Sequence, residues 1–187
     1  FHLSGFINSQ NSRIWTAENP HALKETALHS EKIGVWVAIS KSRIIGPLFY
    51  YTTVDSDVYI DQIIYPFLSL LNEDEIQCCF FQQDNATPHT SNKSLKVLNE
   101  LFGERIISKG LWPPRSPDLT PPDYFFWGAA KGNVFKKNPK TIEELKVEIT
   151  NYVRSVTTET LEKVFQNMCT RVELCLEQRG KHFQHLL

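Results

Sequence analysis

The chain has 187 residues, 41% of them hydrophobic and 12% aromatic, which is enough for one packed domain and excludes a disordered chain. Its 20 Lys and Arg stand against 21 Asp and Glu, and the net charge of −1 excludes a nucleic-acid binder that works by bulk positive charge. The apolar runs fall well short of the roughly 18 to 20 residues that a membrane span needs, and Cys78, Cys79, Cys169 and Cys175 lack CxxC spacing, so buried thiols in a reducing compartment are expected.

Phe1 to Phe6 alternate as a strand already under way, so the chain is expected to be part of a longer one. Residues 8–32 are polar and broken by Asn19-Pro20, and they predict a long inserted loop. Ile33 to Ser40 and Arg43 to Tyr50 are β-branched and aromatic, and Lys41-Ser42 between them predicts a tight turn joining two paired strands. Both runs are apolar on both faces, which predicts a sheet covered by helices on each side. Ile60, Ile63, Ile64, Phe67, Leu68 and Leu71 form the stripe of an amphipathic helix, capped by Ser56 or Asp57 and kinked at Pro66. Glu73-Asp74-Glu75 reads as a solvated loop, and Ile76 to Gln83 as a buried strand delivering Asp84 and Asn85 at its carboxyl end.

Thr90 or Ser91 can cap a helix carrying Leu95, Leu98, Leu101 and Phe102, with Gly103 ending it and Arg105 to Ser108 forming a further strand. Residues 112–122 hold five of the ten prolines and predict a stiff extended segment. Thr120, Pro121 and Asp123 then open a helix through Tyr124 and Trp127 toward Val134. Thr141 and Glu144 form a capping box ahead of Leu145, Ile149 and Val153, so residues 141–180 predict C-terminal helices. The last helix carries Leu161, Val164, Phe165, Met168, Val172 and Leu176 and stops at Gly180. Strands alternating with helices in this order make an α/β layered domain.

Two carboxylates stand where the backbone can fix them: Asp84 at a strand end, and Asp123 in a first helical turn entered through rigid prolines. Acids converging on one cleft can hold two divalent cations about 3.5 to 4 Å apart, the arrangement that activates water against a phosphodiester. Each also has a purely local reading, Asp84 as a turn residue and Asp123 as an acid favoured by a helix N-terminus.

The strings QQDNATPHT (82–90) and WPPRSPDLTPPDYFFWG (112–128) resemble, in order and surroundings, two acidic motifs of the mariner-type cut-and-paste DNA transposases. The resemblance covers essentially the whole chain. It implies an RNase H-like mixed sheet flanked by helices, with its first strand largely missing here. It also implies catalytic and metal-binding roles for Asp84 and Asp123, with a first catalytic Asp and a helix-turn-helix region lying upstream of Phe1. The two acids stand 39 positions apart, somewhat longer than the most familiar spacing of that family, as in a subgroup with a longer loop. Asp118 takes a structural place in the proline turn, and Asp55, Asp57 and Asp61 read as helix-start residues. The resemblance further implies Mg2+ or Mn2+ as cofactor, in a two-metal site completed by the upstream Asp. Its implied partners are double-stranded DNA, as terminal inverted repeats and target, and a second copy of the chain, with no membrane and a nuclear location. The 8–32 loop falls where that family can clasp its partner subunit.

Asn85 and His89 are supporting candidates, the first as a turn residue able to orient Asp84, the second as a side chain able to approach a metal or phosphate. Residues 105–140 carry Arg105, Lys109, Arg115, Lys131, Lys136, Lys137 and Lys140 against Asp118 and Asp123 alone, a local basic surface on which DNA phosphates can dock. The expected function is metal-dependent cleavage at transposon ends and strand transfer, with this chain alone inactive. The alternatives are a non-enzymatic relic or host-repurposed domain that keeps a DNA-binding or dimerising surface, and a hydrolytic RNase H-like nuclease.

Overall fold

The computed structural model describes residues 1–4 and 31–187. The predicted loop at 8–32 therefore lies outside the described residues, apart from its last two. β1 (Gly34–Ile39) and β2 (Ile44–Tyr50) form the expected antiparallel hairpin, closed where the Ser40 amide donates to the Arg43 carbonyl at 2.9 Å. The register shifts between Trp36 and Ala38, and Gly46 lies across from that irregularity at φ +106°. A Cβ there would stand 3.1 Å from the Trp36 carbonyl oxygen, so both the space and the backbone angle call for glycine.

The next helix is built in three pieces: α1 (Ser56–Val58), a wider π-helical turn (Tyr59–Ile64) and α2 (Tyr65–Ser69). Its cap is Asp55 rather than Ser56 or Asp57, since the Asp55 carboxylate accepts the amides of Asp57 and Val58 at 3.0 and 2.9 Å. Asp57 instead pairs with Lys93 at 2.9 Å. Pro66 falls in the first turn of α2, immediately after the π turn, where a missing amide donor is tolerated.

α3 (Glu73–Cys78) replaces the first part of the predicted strand, leaving only Phe81–Gln82 as β3. Asn72 and Glu75 cap each other's backbone amides, and the acidic first turn suits a helix N-terminus, so the run read as a solvated loop is a helix start. α4 (Asn92–Phe102) is capped by Ser91 and closed by Gly103. It buries Leu98 and Phe102, while Leu101 faces solvent. β4 (Ile106–Ile107) pairs in parallel with β3.

The proline segment is not extended throughout, because Pro117–Leu119 close a 3-10 turn. A second π-helical turn (Pro122–Phe126) leads into α5 (Trp127–Lys136). Thr120 does not cap it with its side chain, which donates to the Ser116 carbonyl; its own carbonyl receives the amides of Asp123 and Tyr124. α6 (Ile142–Ser155) is capped by the Thr141 hydroxyl, while Glu144 reaches one residue further back, to the Lys140 amide at 2.6 Å. α7 (Thr158–Glu177) buries Leu161 and Val164, but its predicted stripe does not stay inside, and Leu176 is exposed.

Both faces of the hairpin are covered. Ile33 packs with Val134, Leu145 and Ile149, and Val37 with Phe126, Ala130 and Val153, so α5 and α6 lie on one side. Ile45 packs on the other side with Tyr59, Ile63, Phe67, Phe81 and Leu98. The strands do not make one sheet: among the described residues β1 pairs only with β2, and β3 only with β4. A cavity of about 330 Å³ is lined by residues of both inner strands, including Trp36, Ala38, Phe81 and Gln82. Ahead of β1, Phe1 exchanges two backbone hydrogen bonds with Ile33 (2.8 and 2.9 Å), and His2 bridges antiparallel to Lys32. All four thiols are free, and Cys78, Cys79 and Cys169 are exposed rather than buried, since α3 and the later part of α7 lie at the surface.

Candidate active site

β3 places Asp84. The amides of Phe81 and Gln83 donate to Arg105 and Ile107 of the neighbouring β4 segment at 2.8 and 3.0 Å, and the chain leaves the ladder at the next residue. Asp84 then closes an Asx turn: its Oδ1 accepts the Ala86 amide at 3.0 Å and lies 2.6 Å from Nδ1 of His89. Oδ1 takes both bonds, and Oδ2 has no protein partner among the described residues. The bond to His89 first, then the Ala86 amide and the His89 charge, hold the Asp84 carboxyl below its ordinary range against the opposing effect of partial burial.

Asp123 comes from the other side of the hairpin, in the π turn above Phe126. Phe126 is fully buried, edge-on to Trp127 at 5.0 Å and near Tyr152 at 5.5 Å, which fixes the turn by packing. Partial burial first, and the negative charge of Asp84 second, push the Asp123 carboxyl above its ordinary range. The two acids line the inter-strand cavity together, and they also line a second hollow of about 420 Å³ with Asn85, Trp112 and Arg115.

Asn85 donates its Nδ2 to the Trp112 carbonyl at 2.9 Å, while its Oδ1 is buried with no hydrogen-bond partner. The two carboxylates of this hollow are hard oxygen donors of the kind magnesium and manganese prefer. Among the described residues no three His, Cys, Asp or Glu side chains cluster as a metal-ligand set.

His89 is brought against Asp84 as a hydrogen-bonding neighbour, with its ring 4.4 Å from that of Tyr59. Asp118 is engaged elsewhere: its carboxylate accepts from Gln184 at 2.6 Å and its carbonyl from Arg171 at 3.0 Å, contacts that reach α7 and the C-terminal turn rather than staying within the proline segment. Of the basic residues, Arg115 lines the hollow of the two acids, at φ +54°. Arg105 donates to the Cys79 carbonyl and covers the Phe102 ring, and Lys140 bonds Asn138. Lys131 and Lys136 lie on α5, Lys137 follows it, and Lys109 is exposed beyond β4. Two side chains behind the site went unread in the sequence, Tyr59 and Gln83, both buried and hydrogen-bonded to each other at 2.7 Å. A polar residue directly before an acid in an apolar strand was the available signal for Gln83.

No protein-family model matches the chain. In sequence it is 27% identical over 148 residues to the transposable element Tc3 transposase of Caenorhabditis elegans, covering 78% of this chain and 44% of that protein. It is 25% identical over 189 residues to the histone-lysine N-methyltransferase SETMAR of Homo sapiens, covering 95% of this chain and 27% of that one. The chain thus spans less than half the length of either relative. In fold it is similar to the Mos1 mariner transposase in a paired-end complex with Mn, with TM-score 0.74, 20% identity and coverage of 92% of this chain and 51% of that chain. It is similar also to the Mos1 transposase catalytic domain with raltegravir and Mg, with TM-score 0.67, 22% identity and coverage of 81% and 76%. The resemblance read from the two acidic strings, and the RNase H-like α/β fold it implied, are borne out by these likenesses.

Proposed function

We propose that this chain, related in sequence to the Tc3 transposase and folded like a mariner transposase catalytic domain, is the catalytic domain of a cut-and-paste DNA transposase. The observation that carries the reading is the meeting of Asp84 and Asp123 in one hollow, from separate elements, where burial first and the Asp84 charge second raise the Asp123 carboxyl. Two like charges are held together at a cost that a divalent cation removes. Such ions, held by Asp84 and Asp123, would supply Lewis-acid activation of a water and of the leaving oxygen of a phosphodiester. The chain's own part is to hold ligands and DNA. Asp84 offers its free Oδ2, Asp123 its raised carboxylate, and Arg115 a cation beside them for a phosphate. That the Mos1 structures contain Mg or Mn supports the choice of ion.

The remaining features belong to the same proposal. In the same reading the first catalytic acid of the set lies outside Phe1–Leu187, and Asp84 and Asp123 are the second and third. Upstream helix-turn-helix modules would read the terminal repeats. Residues 8–32 would clasp a second copy, and the complex of dimer, transposon ends and target DNA would work in the nucleus.

The polypeptide of the full reading frame containing Phe1–Leu187 is the material for the test. With Mg2+ or Mn2+ it is expected to nick DNA bearing the ends of its own element, and Asp84→Asn or Asp123→Asn should each reduce that rate by at least about a thousandfold. Cleavage that survives both substitutions would refute the assignment.

A further inference from the structure

Behind Asp84 lies a closed polar network that the transposase reading does not use. Gln83 is 6% exposed and every polar group of its side chain is engaged. Its Oε1 accepts the Tyr59 hydroxyl at 2.7 Å, and its Nε2 donates to the His89 carbonyl and the Ser108 hydroxyl, both at 2.9 Å. Tyr59 is 1% exposed, so its hydroxyl has no water to fall back on. Its ring lies 4.4 Å from the His89 imidazole. His89 is thus held twice, by its backbone carbonyl through Gln83 and by its ring through Tyr59, and its Nδ1 in turn engages Oδ1 of Asp84.

The opposite flank of the same turn is tied as well. Ser108 accepts the Trp112 amide on its carbonyl at 2.7 Å, and the Trp112 carbonyl accepts Nδ2 of Asn85. One glutamine therefore braces both ends of residues 84–89. A bond made by Oδ1 to a fixed imidazole leaves Oδ2 as the oxygen presented outward.

We propose that Gln83 and Tyr59 are positioning residues for Asp84, fixing His89 so that Oδ1 is occupied by the imidazole and Oδ2 is reserved for a divalent cation. The metal part of this inference rests on the function proposed above, and the geometric part does not. Ligand-orienting neighbours of metal sites typically change affinity by about 10- to 100-fold when lost.

The test uses Phe1–Leu187 with two substitutions, Tyr59→Leu, which removes both the ring and the hydroxyl, and Gln83→Met, which keeps the volume and removes the polar atoms. The first readout is the 15N signature of His89. In the parent chain Nδ1 should carry the proton, and in both variants the tautomers should mix, with Asp84→Asn giving the reference spectrum for a broken contact. The second readout is Mn2+ affinity by electron paramagnetic resonance, expected to weaken about tenfold in each variant. An unchanged His89 signature in a folded Tyr59→Leu chain would overturn the positioning role, even if Gln83→Met fails to fold. Mn2+ binding that Asp84→Asn leaves intact would instead remove the metal reading, with the His89 spectra still deciding the positioning.

Discussion

Asp84 and Asp123 occupy one hollow with shifts of opposite sign, and the two signs have different consequences for stability. Asp84 is depressed, so its contribution is complete above the ordinary carboxylate range and is lost as pH falls through its lowered value. Asp123 is raised, so it imposes a cost that is complete above its folded value and vanishes once pH drops below the unfolded one, about 3.9. Asp123→Asn should therefore raise the melting temperature at pH 7 and lose that gain near pH 3, as thermal unfolding at the two values would show. A lower melting temperature at pH 7 would contradict it. Asp84, Asn85, His89 and Asp123 were singled out in sequence through the two strings that resemble the transposase motifs, since each acid alone also reads as a turn or helix-start residue. Tyr59 was not, since its place in an amphipathic stripe looks the same whether its hydroxyl is idle or, as here, bound to Gln83.

Among the elements, the π turn of Pro122–Phe126 depends most on a single anchor. Phe126 packs between Val37 and Val153 with Trp127 and Tyr152 around it, and it lies three residues beyond Asp123. Phe126→Ala should cost about 3 to 5 kcal/mol, measured by denaturant unfolding, because the cavity opens where the hairpin meets α5 and α6. A loss below about 1 kcal/mol would mean that the turn is held some other way. The hairpin and the last four helices were readable from apolar period, caps and glycine stops. α3 was not, because Ile76 to Phe81 is as apolar as a strand, and only the Asn72 and Glu75 box distinguishes it. Arg43 adds to that helix a contact no local pattern contains, donating to Glu75 from across 32 residues. The break at Pro66 was foreseen as a kink, but the π turn before it buries Tyr59, Ile63 and Ile64 in one cluster with Ile45 of the hairpin, a contact no local pattern shows.

For the molecule as a whole, near-neutral net charge and a basic stretch confined to residues 105–140 predict DNA binding that is weak and steeply salt-dependent. Arg115→Gln should lower the affinity for duplex DNA and reduce the logarithmic salt slope by about 1, read from anisotropy titrations across a salt series. An unchanged slope would take Arg115 off the phosphate path. The division of the strands into two pairs has a further consequence, in the language of cooperative opening. Asp84 hangs from the β3–β4 ladder and Asp123 from the helices seated on β1–β2, and among the described residues only side-chain packing joins those ladders. The two should then breathe as separate foldons, visible as two classes of amide exchange. On the function proposed above, Mn2+ held by Asp84 and Asp123 would slow exchange in both classes at once, tying the two ladders together across the seam.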